Sequence, residues 1–378
     1  MTRGGMPKYV QLKREILSWL NSGEWKPHEL LPSENELAAR FGMSRQTVRQ
    51  TLGELEQEGY LYRQRGKGTF VAPPNFAKAG GAAGAAVGMV TTYISDYIFP
   101  HIVRGAEAVL RARGMGLYLS STDNDKERER ESLRMMMDRG VGGLIVEPTK
   151  SAEGNPNLDQ YLAFRYRGVP FVMINARYPE LDCPCLVVDD EAGAYAATEH
   201  LIKLGHRRIA GFFKTDDLQG TRRMKGFLRA MKRYGVPMLP DGVVTYASEN
   251  KRTRPAGIAA RLLGREDRPT AFVCYNDELA VELLKAVREA GLSVPCDLSI
   301  VGFDDSTLAQ AAEVKLTTLT HPKTAMGERA AEMLLRLMAD PSCEAEDVTF
   351  TPELVVREST RAVNAEEIVQ QGSGRRPT

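Results

Sequence analysis

The segment SRQTVRQTL, residues 44–52, carries two arginines four positions apart, and the next acidic residue is Glu54. Positions four apart share one face of an α-helix, so Arg45 and Arg49 project in the same direction. Val48 and Leu52 fall on the opposite face, where they would pack against a core. The spacing predicts a helix with a basic outer ridge. An arginine fork on such a ridge can clamp a phosphate or take two hydrogen bonds from guanine.

Two further features favour nucleic acid as the partner of this ridge. Gln46 and Thr47 add polar groups of the kind that reach base edges in a major groove. The segment LYRQRGKGTFV predicts a β-hairpin, and its turn places Gly66 between Arg65 and Lys67. A glycine at a hairpin tip lets the backbone enter a minor groove between the two flanking cations.

A second group of polar residues follows apolar runs typical of β-strands. Ligands of α/β sheets bind at the carboxyl ends of the strands. Carboxylates, amides and guanidinium groups suit vicinal sugar hydroxyls, and an aromatic face can cover the C–H side of a sugar. A phosphate would require a glycine-rich loop or several cations, which this acid-rich group lacks. The candidate ligand contacts are Tyr93, Asp96, Tyr97, Glu147, Asn175, Arg223, Asn276, Asp277 and Asp304.

Three other acids at strand ends, Asp190, Asp217 and Asp305, are predicted to cap helices, the commoner role of aspartate at such junctions. Arg177 also follows a strand. It is larger than expected at the edge of a sugar cleft, and its direction would bear on the choice of ligand.

The elements that must position the basic ridge are two short helices and a hairpin. Residues 7–22 have apolar positions at helical spacing, which predicts a first helix. Ser33 and Glu36 form a capping box that starts the next helix, and Gly42 ends it before the ridge helix begins at Ser44. Together with the hairpin, these elements predict an α+β winged helix-turn-helix domain over residues 1–72.

The remainder of the chain has a different pattern. Residues 73–86, PPNFAKAGGAAGAA, predict a linker because they are rich in proline, glycine and alanine without periodicity. From residue 87 to 362, ten apolar runs alternate with helical stretches, which is typical of parallel α/β sheets and too many for one small sheet. We therefore expect two α/β lobes. Residues 363–378 are polar, and we expect a disordered tail there.

Composition narrows the class of protein. The 378 residues are 43% hydrophobic and 26% charged, with a net charge of +1. Residues 1–72 hold eleven Lys/Arg and eight Asp/Glu, so the basic excess lies in the predicted DNA-binding domain. We find neither a signal-peptide core nor a run of about 20 apolar residues, so we expect a cytoplasmic protein. The five cysteines, including the C-P-C at 183–185, are expected to be reduced thiols.

Enzyme motifs are missing from the sequence. The glycine cluster at 80–88 precedes its strand rather than following it, which excludes a dinucleotide fingerprint there. The chain has no nucleophile elbow and no Walker A loop, and its five histidines are scattered. We expect no catalytic residues, no metal and no cofactor.

The segment LPSENELAARFGMSRQTVRQTLGELEQEGYLYRQRGKGTFV resembles the winged helix-turn-helix of the GntR regulator family over nearly all of residues 6–72. The resemblance places Arg45, Thr47 and Arg49 on the recognition helix and Arg65 to Gly68 in the wing, and it implies a phosphate contact at Lys8. The complete set of candidate DNA contacts is Lys8, Glu34, Arg45, Gln46, Thr47, Arg49, Gln64, Arg65, Gly66, Lys67 and Gly68.

The segments DDEAGAYAATEHLIKLGHRRIAGF and AFVCYNDELAVELLKAVREAGLSVPCDLSIVGFDDS resemble the LacI family effector domain, which is built like a periplasmic sugar-binding protein. The resemblance covers residues 88–360. It implies an α/β two-lobe periplasmic-binding-protein-like domain, in which Arg223 and Asp277 hold the effector.

A GntR-type head on a LacI-type body, together with TTYISDYIFP, GLIVEPTKS and CYNDE, resembles the arabinose repressors of Gram-positive bacteria. That resemblance implies a homodimer that binds double-stranded operator DNA and is released by L-arabinose. Dimer contacts are expected from helices around 104–113 and 276–290. Two alternatives stay open. The effector could be another sugar or a sugar phosphate, or the head could dock a protein instead of DNA.

Overall fold

The computed structural model describes residues 8–21, 25–57, 60–64, 67–72, 86–95, 97–340, 342–343 and 345–363. The described residues divide into two compact units with the boundary after Ala86, and residues 139–142 group with the first unit. Most of the expected linker (73–85) and of the expected tail (364–378) lies outside the described residues. The two ends that are described differ from expectation. Ala86 begins a strand, and the backbone N–H of Val363 donates to the carbonyl of Leu204 at 2.8 Å.

The first unit contains the predicted helix-turn-helix and hairpin. Its elements are α1 (Lys8–Asn21), α2 (Glu34–Phe41), α3 (Arg45–Gln57), β1 (Leu61–Gln64) and β2 (Gly68–Val71). Ser33 and Glu36 form the predicted capping box at the start of α2. Gly42 ends α2 with φ 58°, a left-handed conformation that glycine adopts without strain. The strands β1 and β2 pair in antiparallel register.

The apolar back of the ridge helix α3 packs inward, as its spacing predicts. Val48, Leu52 and Leu55 are buried against Leu12 and Ile16 of α1 in one core cluster. Because this apolar face is held by the core, the opposite face of α3 must point outward.

The second unit contains two parallel sheets. In chain order its elements are β3 (Ala86–Thr91), α4 (Phe99–Ala112), β4 (Gly116–Ser121), α5 (Lys126–Asp138), β5 (Leu144–Val146), α6 (Leu158–Tyr166), β6 (Phe171–Ile174), β7 (Cys185–Val188), α7 (Asp190–Lys203), β8 (Ile209–Lys214), α8 (Leu218–Arg233), β9 (Val243–Tyr246), α9 (Arg254–Leu263), β10 (Ala271–Cys274), α10 (Asp277–Glu289), β11 (Ser299–Val301), α11 (Thr307–Ala311), β12 (Thr318–Leu319), α12 (Lys323–Ala339), β13 (Val348–Phe350) and β14 (Leu354–Val355).

The two sheets define two lobes. The first lobe has the strand order β13-β7-β6-β5-β3-β4, and the second has the order β11-β10-β8-β9. All ten strands expected from the apolar runs are present in this unit. The short strands β13 and β14 were not expected. β13 pairs in parallel with β7 and β14 pairs antiparallel with β12, so their strand state depends on distant partners rather than on a local apolar run.

None of the described helices is long and apolar enough to cross a membrane. Within the described ranges no group of His, Cys, Asp and Glu side chains could hold a metal ion. All five cysteines are described, and none of them is paired in a disulfide; Cys183, Cys185 and Cys274 are buried.

Helices α4 and α12 of the first lobe approach each other at two glycines. A Cβ built on Gly105 would lie 2.2 Å from the carbonyl oxygen of Thr324, and one built on Gly327 would lie 2.0 Å from that of Ile102. The backbones are therefore in direct contact, since both helices leave no room for a methyl group. This contact anchors α4, whose first residue, Phe99, belongs to the candidate site described below.

We predict that Gly105→Ala lowers the free energy of unfolding by roughly 1–3 kcal/mol, because the methyl group must displace backbone. Gly257→Ala is the matched control. It lies within α9 with nothing within 4 Å of its Cβ position, so it should stabilise by about 0.5–1 kcal/mol. Urea unfolding of the three proteins measures both effects. Equal effects of the two substitutions would contradict the close helix contact.

Candidate effector site and nucleic-acid interface

A cavity of about 110 Å³ in the second unit is lined by residues from both lobes. The lining side chains lie at or after the carboxyl ends of strands β3 to β12, as expected for parallel α/β sheets. Seven of the nine candidate ligand contacts line it: Tyr93, Tyr97, Glu147, Asn175, Arg223, Asn276 and Asp304. Asp96 lies outside the described residues.

Asp277 does not line the cavity, contrary to the prediction. Its side chain is fully buried. One carboxylate oxygen accepts from the backbone N–H of Ser306 at 2.8 Å, and the other accepts from the Thr318 hydroxyl at 2.6 Å. Through these hydrogen bonds the Asp277 carboxylate fixes the loop after β11, which carries Asp304. Asp277 therefore supports a lining residue rather than facing a ligand. Its neighbour Asn276 lines the cavity and caps α10.

Glu147 and Asn175 form a hydrogen-bonded wall in the first lobe. One Glu147 oxygen accepts from the backbone N–H and the hydroxyl of Thr92 at 2.9 and 2.5 Å, and the other accepts from the Asn175 amide at 2.8 Å. Burial raises the pKa of Glu147, although the Thr92 hydrogen bonds oppose the shift. Asn175 has φ 63°, a conformation that asparagine tolerates better than most residues.

Arg223 is the centre of the wall in the second lobe. Its Nε donates to Asp190 at 2.8 Å, one Nη donates to Asp304 at 3.3 Å, and the other Nη donates to the Tyr275 carbonyl at 2.6 Å. Its guanidinium also lies 3.6 Å from the centre of the Phe303 ring. Burial raises the pKa of Asp190, and the Arg223 charge opposes this shift.

The helix-cap prediction is wrong for Asp190 and Asp305 and right for Asp217. Asp189 caps α7, so Asp190 turns into the cavity wall. Ser306 caps α11, and Asp305 accepts from Arg357 at 2.7 Å instead. At both junctions the neighbouring residue has the extended or turn backbone that a cap needs.

Asp217 caps α8 and also lines the cavity. It accepts from the Lys214 ammonium at 2.9 Å and from the Tyr275 hydroxyl at 2.8 Å. Lys214 lies 3.2 Å from Asp216 as well. Burial alone would lower the pKa of Lys214, but the two aspartates raise it above its usual value. Lys214 and Asp217 stand directly after an apolar run, which was the available sequence signal for this pair.

Each of the three cationic side chains that line the cavity forms an ion pair with a carboxylate. Lys214 and Arg223 form the pairs described above, and Lys251 lies 3.6 Å from Glu278. Arg177 is not part of the lining; its guanidinium donates to Asp347 at 2.8 Å. This charge balance suits an uncharged ligand better than a phosphate, which needs uncompensated cations.

Two buried acceptors of the lining have no hydrogen-bond partner among the described residues: the second carboxylate oxygen of Asp190 and the Nδ1 of His321. The Nε2 of His321 lies 3.2 Å from the amide oxygen of Asn175, so Nε2 carries the proton and Nδ1 can accept. Buried acceptors without partners are costly and rare. Both side chains line the cavity, which makes them candidate acceptors for the hydroxyl groups of a ligand. Sequence reasoning missed both residues, although each follows a strand.

The outer face of α3 carries the predicted ridge. Arg45 and Arg49 are more than half exposed. The acid that compensates them comes from α2: Glu34 accepts from the Nε of Arg45 at 3.1 Å and from an Nη of Arg49 at 2.9 Å. The Arg49 hydrogen bond holds the pKa of Glu34 below its usual value. Glu34 thus aligns both guanidinium groups on one face, where Gln46 is also exposed.

The remaining candidate DNA contacts differ in their exposure and hydrogen bonding. Thr47 is half-buried, and its hydroxyl lies 2.8 Å from that of Ser44. Gln64 and Gly68 pair across the hairpin, and the exposed Lys67 donates its backbone N–H to Gln64 at 2.9 Å. Lys8 is the first residue of α1, and its side chain is not described. Arg65 and Gly66 lie outside the described residues.

The buried His321 predicts a pH dependence of stability. Burial lowers the pKa of His321 from 6.5 to about 4. Between these values the unfolded chain binds a proton at His321 and the folded chain does not, so the free energy of unfolding falls as the pH falls from 6.5 to 4. His321→Gln should remove roughly 2–3 kcal/mol of that fall. Urea unfolding at pH 4.5, 5.5 and 6.5 measures it.

Gln219→Ala is the control for this titration, because Gln219 lines the same cavity and does not ionise. Its effect on the free energy of unfolding should be constant over the pH range. An equally constant difference between His321→Gln and the parent chain would contradict the assignment.

Comparisons with known proteins agree with this two-part structure. The model of the family described as bacterial regulatory proteins, gntR family, matches residues 8–71, and the model of a periplasmic binding protein-like domain matches residues 198–360. A LacI family transcriptional regulator from Enterococcus faecium, solved with bound ribose, is 27% identical with a TM-score of 0.64, and the match covers 74% of this chain and 100% of that one.

Two curated relatives match nearly the whole chain. The arabinose metabolism transcriptional repressor of Geobacillus stearothermophilus is 56% identical, and the match covers 95% of this chain and 99% of that protein. The protein of the same name from Halalkalibacterium halodurans is 44% identical over 95% of this chain and 98% of its own length. The chain therefore belongs to the family of arabinose metabolism transcriptional repressors, which join a GntR-type head to a periplasmic-binding-protein-like domain, and it is a transcriptional regulator rather than an enzyme.

Proposed function

We propose that this repressor binds operator DNA as a homodimer and is released when L-arabinose occupies the cavity between its two lobes. In this proposal residues 1–72 bind DNA and residues 87–362 bind the sugar and form the dimer, in the cytoplasm. No cofactor takes part. The names of the two curated relatives support arabinose as the sugar. The observation that carries a sugar effector is the pair of unsatisfied buried acceptors at Asp190 and His321.

The lining of the cavity supports an uncharged polyol. A sugar hydroxyl can donate to Asp190 and to His321, and neither bond requires a new charge in the cavity. Tyr93 and Phe99 contribute aromatic faces, with ring centres 5.8 Å apart, of the kind that cover the C–H side of a sugar. The ribose bound to the Enterococcus faecium regulator shows that a related domain accepts a pentose.

The exposed ridge supports DNA as the partner of the head. Arg45 and Arg49 are held on the outer face of α3 by Glu34, and their forks are suited to base edges or phosphates. A two-fold dimer would read two half-sites of a pseudo-palindrome. Effector and operator would then oppose each other through a coupling energy of about 1–3 kcal/mol, and the coupling must be reciprocal.

We expect calorimetric titration of the full chain to show saturable heat with L-arabinose and much less with D-xylose, D-galactose or arabinose 5-phosphate. Arg223→Lys should weaken L-arabinose binding roughly tenfold or more, because lysine cannot reproduce the fork between Asp190 and Asp304. Arg177→Lys is the matched control and should bind like the parent, since Arg177 does not line the cavity. Binding of the phosphorylated sugar alone would favour the alternative effector class and contradict this one.

For the head, we expect Arg45→Ala to lose about 1–3 kcal/mol of discrimination between the selected operator and a single-base variant of it. Lys8→Ala should instead weaken binding evenly across sequences and reduce the salt slope by about one unit. Operators selected from a random DNA pool, followed by competition binding at two salt concentrations, provide the measurement. If Arg45→Ala were equally impaired on every sequence, Arg45 would be a phosphate contact. If the parent chain showed no salt dependence, the protein-docking alternative would be favoured.

A further inference from the structure

At one edge of the cavity, a set of hydrogen bonds joins the two lobes. Asn124 belongs to the first lobe, in the turn between β4 and α5, and is 3% exposed. Its side-chain amide donates to the hydroxyl of Ser248 at 2.7 Å and to a carboxylate oxygen of Asp216 at 3.3 Å. Both acceptors belong to the second lobe, in the segments that follow β9 and β8.

The same groups are held firmly within their own lobes. The side-chain oxygen of Asn124 accepts from the backbone N–H of Lys150 at 2.8 Å, and the shared Asp216 oxygen accepts from the backbone N–H of Ser248 at 3.0 Å. Each partner is therefore oriented before the lobes meet. Asn124 also has φ 57°, so its turn backbone is fixed in a left-handed conformation.

Further links between the lobes surround this contact. The backbone N–H of Leu218, at the start of α8, donates to the Ser151 hydroxyl at 2.9 Å. The backbone N–H of Ala152 donates to the carbonyl of Asp216 at 3.3 Å. Lys150 and Glu249 form an ion pair across the same edge. Two loops of the first lobe thus meet two loops of the second.

The contact is continuous with the cavity through two side chains, Lys214 and Asn124, because Asn124 itself lines the cavity. Lys214 pairs with Asp216 on one side and with Asp217 on the other, and Lys214 and Asp217 line the cavity. Asp216 does not line it. Separating the lobes would remove the Asn124 bond from Asp216 and expose the buried pair that orients Lys214.

We propose that Asn124, Asp216 and Ser248 form a lobe clasp, a set of positioning residues that determines effector affinity by holding the lobes together. Each hydrogen bond between these groups favours the arrangement in which the lobes are joined. The apparent effector affinity scales with the fraction of molecules in which the lobes are joined. The choice of L-arabinose as the probe rests on the function proposed above, whereas the joining of the lobes does not.

The first test measures the lobes without any sugar. Spin labels at Cys296, which is exposed in the second lobe, and at Tyr166→Cys, on the 94% exposed position in α6 of the first lobe, report the distance between lobes. Cys343→Ser removes the remaining accessible thiol of the chain. Ser248→Ala and Asn124→Gly should both lengthen and broaden the distance distribution. Glycine is used at 124 because it accepts the left-handed backbone without strain.

The second test is a double-mutant cycle on L-arabinose affinity. Ser248→Ala should weaken binding roughly 5- to 10-fold although Ser248 does not line the cavity. Asn124→Gly should weaken it at least as much. In the Asn124→Gly background, Ser248→Ala should have almost no further effect, because the shared bond is already absent. Ser293→Ala is the control, because Ser293 is exposed and its hydroxyl donates to Asp297, away from the cavity lining; it should leave both readouts unchanged.

The outcomes separate the two proposals. Unchanged distances in both variants would overturn the clasp, as would additive effects in the cycle, which would mean that Asn124 acts only by contacting the sugar. Longer distances in the variants together with no binding of L-arabinose to the parent would retain the clasp and reject the proposed effector.

Discussion

The buried guanidinium of Arg223 is the interaction on which the candidate site depends. A buried charge is costly unless acids and hydrogen bonds surround it, and Arg223 has Asp190, Asp304 and the Tyr275 carbonyl. These partners come from three segments, α7, the end of β10 and the loop after β11, and Arg223 itself belongs to α8. One side chain therefore holds the second lobe together at the cavity. Asp277 stabilises this arrangement, because its hydrogen bond with Ser306 fixes the loop that carries Asp304.

The charges of the cavity are arranged so that its cations are neutralised before any ligand arrives. Lys214 and Arg223 are both occupied by aspartates, and what remains is a pair of hydrogen-bond acceptors. Such a surface favours ligands that carry hydroxyl donors over ligands that carry a negative charge. The same Lys214 connects the lining to the contact between lobes, so the proposed binding of a sugar and the proposed closure of the lobes use one electrostatic network.

The helix-turn-helix domain differs from the cavity, because the arginines proposed to contact DNA must stay exposed to solvent. Glu34 does not bury Arg45 and Arg49; it orients them while leaving more than half of each side chain in solvent. An exposed ion pair of this kind contributes little to stability. Its value lies in holding two flexible arginines in one direction, which reduces the entropy lost when they contact a partner.

The sequence by itself determined most elements of both domains, since their signals are local: the capping box at Ser33, the glycine at 42, the spacing of Arg45 and Arg49, and the alternating apolar runs. The short strands β13 and β14 were decided by their distant partner strands instead. It also placed most of the ligand candidates, because strand ends of a parallel sheet meet at one edge. Only the tertiary structure decided which acid at each strand end faces the cavity. Asp190 lines it and Asp277 does not, because the direction of each carboxylate is set by partners such as Arg223 and Thr318, which lie more than thirty residues away in the chain.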